Sequence, residues 1–256
     1  MKPEKILEII TRAAEALPED DQKLFQFMKK APYLHSPAWS AGAILGDLAN
    51  VLEREISTNA AKSAGRLTQR RALERIYKAV IAKNADCRPA MAGTFEQGGA
   101  RCLCDGYRAI RIQSQAVQMP ASAAPGDPMD LSHVFNGIAS RPPVSLPSAE
   151  QLKAEIKIAA ATARAQGVKP SQFGAIAKVQ AVQGPIYINA QYLLDMLEAI
   201  PGYTTATAGN TYAPIYIAGP EGDALVLPIR FDAGENDSLK HPVIDCSREA
   251  EGRETA

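Results

Sequence analysis

The sequence predicts an α+β fold: antiparallel sheets with helices along one face, preceded by a helical extension. Three observations carry this. Apolar residues recur at the 3.6-residue period of a helix through residues 1 to about 60. The period shortens to two, in brief runs bounded by Gly and Pro, over 90–114 and again over 173–231. Between them, 148–167 places a helix-start signature and a helix-stop glycine around an alanine-rich stretch. The expected organisation is a helical extension at 1–61, a main domain at 62–231 with a proline-rich connector at 115–147, and a flexible tail at 232–256.

Composition bounds the function. The chain has 256 residues, 46% hydrophobic and 22% charged, enough for a substantial core. Lys+Arg 28 against Asp+Glu 28 leaves a formal net charge of zero, so no global field draws it to nucleic acid or membrane. No apolar run approaches the roughly 18 residues of a spanning helix. The opening Met1-Lys2-Pro3-Glu4-Lys5 puts charges where a signal peptide needs an apolar stretch. Four cysteines, Cys87, Cys102, Cys104 and Cys246, are too few for a disulfide framework. The expectation is a cytoplasmic protein with reduced thiols.

In chain order, Ile6, Leu7, Ile10 and Ala14 share one helical face, ended at Leu17-Pro18. Glu19-Asp20-Asp21 starts a second helix, with acids at its positive end. A third apolar stretch runs from Ala43 to Ile56. Residues 62–88 then carry Lys62, Arg66, Arg70, Arg71, Arg75, Lys78, Lys83 and Arg88 against only Glu74 and Asp86, a local charge of +6. Leu73, Ile76, Val80 and Ile81 give this helix an apolar face, with Arg71, Arg75 and Lys78 as a basic stripe beside it. Such a stripe pairs with phosphates or is simply a solvated face.

Short strands follow at 91–95, 100–104 and 107–112, with a Gly98-Gly99 turn. Cys102 and Cys104 lie on one face of their strand, but no cysteine or histidine elsewhere has zinc spacing. They read as small buried thiols, with no metal and no cofactor expected. Six of the chain's eighteen prolines fall in 115–147, punctuated by a short helix near 130–135. Ser148-Ala149-Glu150-Gln151 has the form of a capping box for a helix stopping at Gly167. Strands are expected at 173–182 and 186–188, then a helix capped by Asn189 over 190–200, then strands at 203–208, 214–218 and 224–231.

The helix Ile188-Asn189-Ala190-Gln191-Tyr192-Leu193-Leu194-Asp195-Met196-Leu197-Glu198-Ala199-Ile200 and the run Val226-Leu227-Pro228-Ile229-Arg230-Phe231 resemble, in sequence and spacing, the last half-domain of the bacterial DNA polymerase III beta sliding clamp family. Cys104-Asp105-Gly106-Tyr107-Arg108-Ala109 is similar to the Thr-Asp-Gly-His-Arg-Leu strand of that clamp's middle domain. The resemblance covers roughly 100 residues and omits the extension and the connector; the chain has room for about one of a clamp subunit's three domains. It implies a DNA-clamp-like domain, with phage or mobile-element ancestry expected and assembly into an oligomer open.

The resemblance implies two sites. One is a DNA-facing helix, whose candidates are Arg70, Arg71, Arg75, Lys78 and Lys83, with double-stranded DNA as partner. The other is a peptide groove for the clamp-binding motifs of polymerase or other replication proteins. Its matching positions are Cys104, Gly106, Tyr107, Arg108 and Ala109 on one side and Leu225, Val226, Leu227, Pro228, Ile229 and Arg230 on the other. The helix at 190–200 is acidic, with Asp195 and Glu198 and no basic residue, and so argues against a ring of basic inner helices. An enzyme is not expected: there is no phosphate loop, no Gly-x-Ser-x-Gly, no His-Glu-x-x-His, and His35, His133 and His241 are isolated. The expected function is a non-catalytic, clamp-like accessory of DNA replication; the alternative is a clamp-fold interaction module that never touches DNA, such as a decoy for clamp-binding peptides.

Overall fold

The computed structural model describes residues 56–84, 88–113, 119, 128–230 and 238–247, with Lys5, Glu8, Ala49 and Leu52. The chain divides into two compact units, 1–67 and 68–256. In the first, Ile56–Ser63 is helical; the helices expected earlier in the chain lie almost wholly outside the described residues.

The second unit is built on the long helix α1 (Leu67–Asn84) and two sheets. The six-stranded sheet has the order β1-β2-β3-β8-β7-β6, comprising β1 (Phe95–Gln97), β2 (Ala100–Cys104), β3 (Arg108–Gln113), β6 (Thr205–Thr207), β7 (Ile215–Gly219) and β8 (Gly222–Val226). All its pairings are antiparallel. The three-stranded sheet orders β4 (Ile176–Ala181) between β5 (Gly184–Asn189) and β9 (Val243–Asp245). Two further long helices are α3 (Ala149–Ala165) and α4 (Ala190–Ala199); α2 (Ser132–Asn136) is a short one.

Period-two alternation divides the six-stranded sheet into two faces. Leu103, Ile110, Ile112, Ile215, Ile217, Ala224 and Val226 join the main core with Leu73, Ile76 and Val80 of α1 and Leu193, Met196 and Leu197 of α4. Cys102, Cys104, Ala109, Tyr216 and Leu225 join the opposite cluster, closed by Leu131, Phe135 and Ile138 around α2. The long helices thus take one face, as expected, and a short helical segment covers the other. No described helix is long and apolar enough to cross a membrane.

The capping box is present: Ser148 accepts from the Gln151 N–H and the Gln151 side chain accepts from the Ser148 N–H. Asn189 caps α4 through the N–H groups of Gln191 and Tyr192.

Two expectations need correction. The strand read over 91–95 begins only at Phe95, because Pro89 opens a 3-10 turn over Pro89–Met91. The tail from 232 onward is not wholly irregular: β9 lies within it, parallel to β4. Three residues are too short a run for alternation to reveal, and a parallel partner over 60 positions upstream leaves no local signature.

Candidate docking seam and the ionic network beneath it

The two sequence runs read as the sides of a groove are neighbouring strands. β3 and β8 pair with Arg108 opposite Val226 and Ala109 opposite Leu225. Just beyond the pairing, the Leu227 N–H donates to the Tyr107 carbonyl at 2.8 Å. Two residues on, the Ile229 N–H donates to the Tyr187 carbonyl of β5, also at 2.8 Å. Residues 227–229 therefore cross from one sheet to the other and form a seam between them.

Burial sorts the candidates. Cys104, Arg108, Ala109, Leu225 and Val226 are inside, whereas Tyr107 is 55% exposed and Leu227 39%. Pro228 and Ile229 are half-buried; Gly106 and Arg230 are exposed. Of the candidate groove positions, Gly106, Tyr107, Leu227 and Arg230 thus meet water, with Pro228 and Ile229 half-buried between the last two. Gly106, at φ 84°, makes the turn that presents Tyr107, and a Cβ there would lie 3.3 Å from Nη1 of exposed Arg88.

Asp105 holds this turn from below. Its buried Oδ1 accepts from the N–H groups of Tyr107 and Arg108, both at 2.9 Å. Its Oδ2 accepts from Arg108 Nε at 3.0 Å and, at 3.4 Å, from Lys83 Nζ. Lys83 also donates to the Tyr192 hydroxyl at 2.7 Å and sits 4.3 Å over the Tyr107 ring. Arg108 stacks on Tyr192 at 4.3 Å.

From Arg108 the network runs into α4. Arg108 Nη1 donates to Asp195 Oδ2 at 2.5 Å, and Arg75 Nε to Asp195 Oδ1 at 2.9 Å. Glu198 accepts from Arg75 Nη2 at 2.5 Å and from Lys153 of α3 at 2.7 Å. Partial burial would lower the Arg75 pKa, but Asp195 and Glu198 raise it above its ordinary value. Burial likewise opposes the charge on Glu198, yet Lys153 and Arg75 pull its carboxyl below the ordinary range.

The acids of α4 thus find their cations on three elements: Arg75 of α1, Arg108 of β3 and Lys153 of α3. Of the five residues read as a DNA-facing set, Arg70 is 4% exposed, and Arg75 and Lys83 are engaged with carboxylates. Arg71 and Lys78 are exposed. Sequence reasoning missed Asp195, Glu198, Lys153 and Tyr192 as members of the site. Asp195 and Glu198 stand at i, i+3 on one helical face, which is a legible signal of a shared cationic partner.

Cys102 and Cys104 are buried thiols; burial pushes Cys102 up to about 11 and Cys104 upward too. Among the described residues, no three or more His, Cys, Asp or Glu side chains cluster as metal ligands.

No protein-family model matches the chain. No curated protein matches it in sequence. Solved structures similar to it include bacterial sliding clamps. The Helicobacter pylori beta clamp bound to a DNA ligase peptide matches at 11% identity and TM-score 0.42, over 60% of this chain and 62% of that one. A putative DNA polymerase III beta subunit from Eubacterium rectale matches at 17% identity and TM-score 0.39, over 64% of each chain. A DNA polymerase sliding clamp from Pseudomonas aeruginosa matches at 14% identity and TM-score 0.40, over 64% of this chain and 65% of that one. The chain therefore spans less than two thirds of the length of these clamps, and what it shares with them is a likeness of fold.

Proposed function

We propose that this chain is a non-catalytic, sliding-clamp-like accessory of DNA replication that works by docking a short apolar peptide motif of a replication protein on the seam. One observation carries the reading: Tyr107 and Leu227, two large side chains exposed to water, stand on backbone positions joined by the Leu227-to-Tyr107 hydrogen bond. Large apolar groups held rigidly at the surface lose little entropy on binding. Beside them the half-buried Pro228 and Ile229 extend the apolar surface toward β5.

A version that does not hold DNA is favoured by a separate observation: Arg75 and Lys83 already face carboxylates, so α1 offers phosphates chiefly Arg71 and Lys78.

The test is a fluorescence titration of the full chain with a labelled clamp-binding peptide. Saturable binding is expected, weakened about tenfold or more by Leu227→Asp, since burying a side chain of this size contributes roughly 1.5–3 kcal/mol. Absence of saturable binding, or binding indifferent to Leu227→Asp, would overturn the reading.

A further inference from the structure

The two sheets expose four edges, and they are not treated alike. The β6 edge is covered by residues 142–144: Val144 N–H donates to the Ala206 carbonyl at 2.9 Å and Ala208 N–H to the Pro142 carbonyl at 3.0 Å. Ile229 reaches the β5 edge. The β1 edge is three residues long with an exposed charge, Glu96, at its middle, a usual guard against pairing. The β9 edge is as short, but its one charge, Asp245, stands at the strand's end and is paired with Lys178, and no described strand lies on its outer side.

On β9, the Pro242 carbonyl accepts from Ile176 N–H and the Cys246 N–H donates to the Lys178 carbonyl, both at 2.9 Å. Backbone groups alternate along a strand, so those of Val243 and Asp245 point away from β4. Beside this edge lies a groove of about 370 Å³ between β9 and α3, lined by Leu152, Glu155, Ile158 and Ala159 on the helix and by Val243 and Ile244 on the strand. Ile158 is 61% exposed and Val243 43%, so the groove opens to water with apolar walls.

We propose that β9 is a second docking site, separate from the seam, which takes an extended segment of a partner protein as an added strand. The outward N–H and C=O groups of Val243 and Asp245 fix the occupant's conformation, because only an extended backbone can pair with them. The groove under Ile158 requires apolar side chains at alternate positions of that segment. Charge gives the rest. Among the described residues, the lining contains two carboxylates, Glu155 and Asp245, and no cation. Lys178 balances Asp245 at 3.0 Å, which leaves exposed Glu155 to favour a basic residue in the segment. Since β9 and β5 are opposite edges of one three-stranded sheet, the two sites bracket it.

The probe is a labelled peptide of about eight residues alternating valine and lysine, long enough to pair as a strand, titrated into the full chain at low salt. Saturable binding is expected. Val243→Pro removes an outward donor and no bond to β4, and should weaken binding about fivefold, the worth of one hydrogen bond. Ile158→Asp, at an exposed helix position, should weaken it at least as much without altering the thermal midpoint. A peptide with glutamate in place of lysine should bind several-fold more weakly, and Leu227→Asp should leave the valine–lysine affinity unchanged. The proposal is overturned by absence of saturable binding, by indifference to both edge variants, or by equal affinity for the glutamate peptide. It is equally overturned if sedimentation shows a dimer that Val243→Pro dissociates, since a second copy would then own the edge.

Discussion

Asp195 is the residue on which the site's charge balance turns. It is 3% exposed and accepts from Arg108, Arg75 and Gln191 at once. Asp195→Ala would leave Arg108, itself 4% exposed, without its α4 carboxylate. Breaking a buried pair from one side costs about 3–5 kcal/mol, so urea unfolding should show a loss of that order, far beyond that of Lys153→Ala, whose side chain is 47% exposed. Glu198 gives a pH signature. Its pKa lies below the ordinary 4.5, so its contribution is fully present above that value and is lost as pH falls below it, through the folded pKa. Glu198→Gln should flatten the acid limb of the stability profile below about pH 4.5. The sequence displays both acids and the basic stripe but not their union, because Arg75 and Asp195 are 120 positions apart and helical periodicity does not say which helix faces which.

At the scale of elements, what was legible is what short-range chemistry dictates. The α3 start, the α4 cap and the order of strands around α4 follow from residues within a few positions of one another. Ser148→Ala should remove about 1 kcal/mol, measured as a shift in the denaturation midpoint. Gly222 sits where β8 begins, and a Cβ there would meet the Arg111 carbonyl oxygen at 2.1 Å. Gly222→Ala should therefore cost more than about 2 kcal/mol, since the obstruction is backbone of the neighbouring strand. Less legible was the division of the 225–230 run. Alternation assigns Leu225 and Leu227 to one face, yet Leu225 is 2% exposed and Leu227 39%, because the pairing with β3 ends at Val226 and the chain turns toward β5.

For the whole molecule, zero net charge and an α1 stripe whose middle member, Arg75, is paired with Asp195 and Glu198 of α4 set the expectation for DNA. With Arg71 and Lys78 as the remaining phosphate contacts of that helix, binding to duplex DNA should show a log–log salt slope of magnitude no more than about 2. Arg71→Glu with Lys78→Glu should abolish what binding there is, as read by fluorescence anisotropy at low salt. A steeper slope that survives this pair would place DNA on another surface. The fold class could be read from periodicity, but the joining of two sheets at 227–229 could not, because it rests on backbone bonds from one short segment to two strands far apart in sequence. That joining is where the proposed function lies. The most direct test is a hydrogen-exchange footprint of the full chain with and without a saturating clamp-binding peptide. Protection should concentrate at 106–109, 187–192 and 225–230, with the exposed flank of α1 unchanged. Protection centred on α1 instead, or none at the seam under saturating peptide, would contradict it.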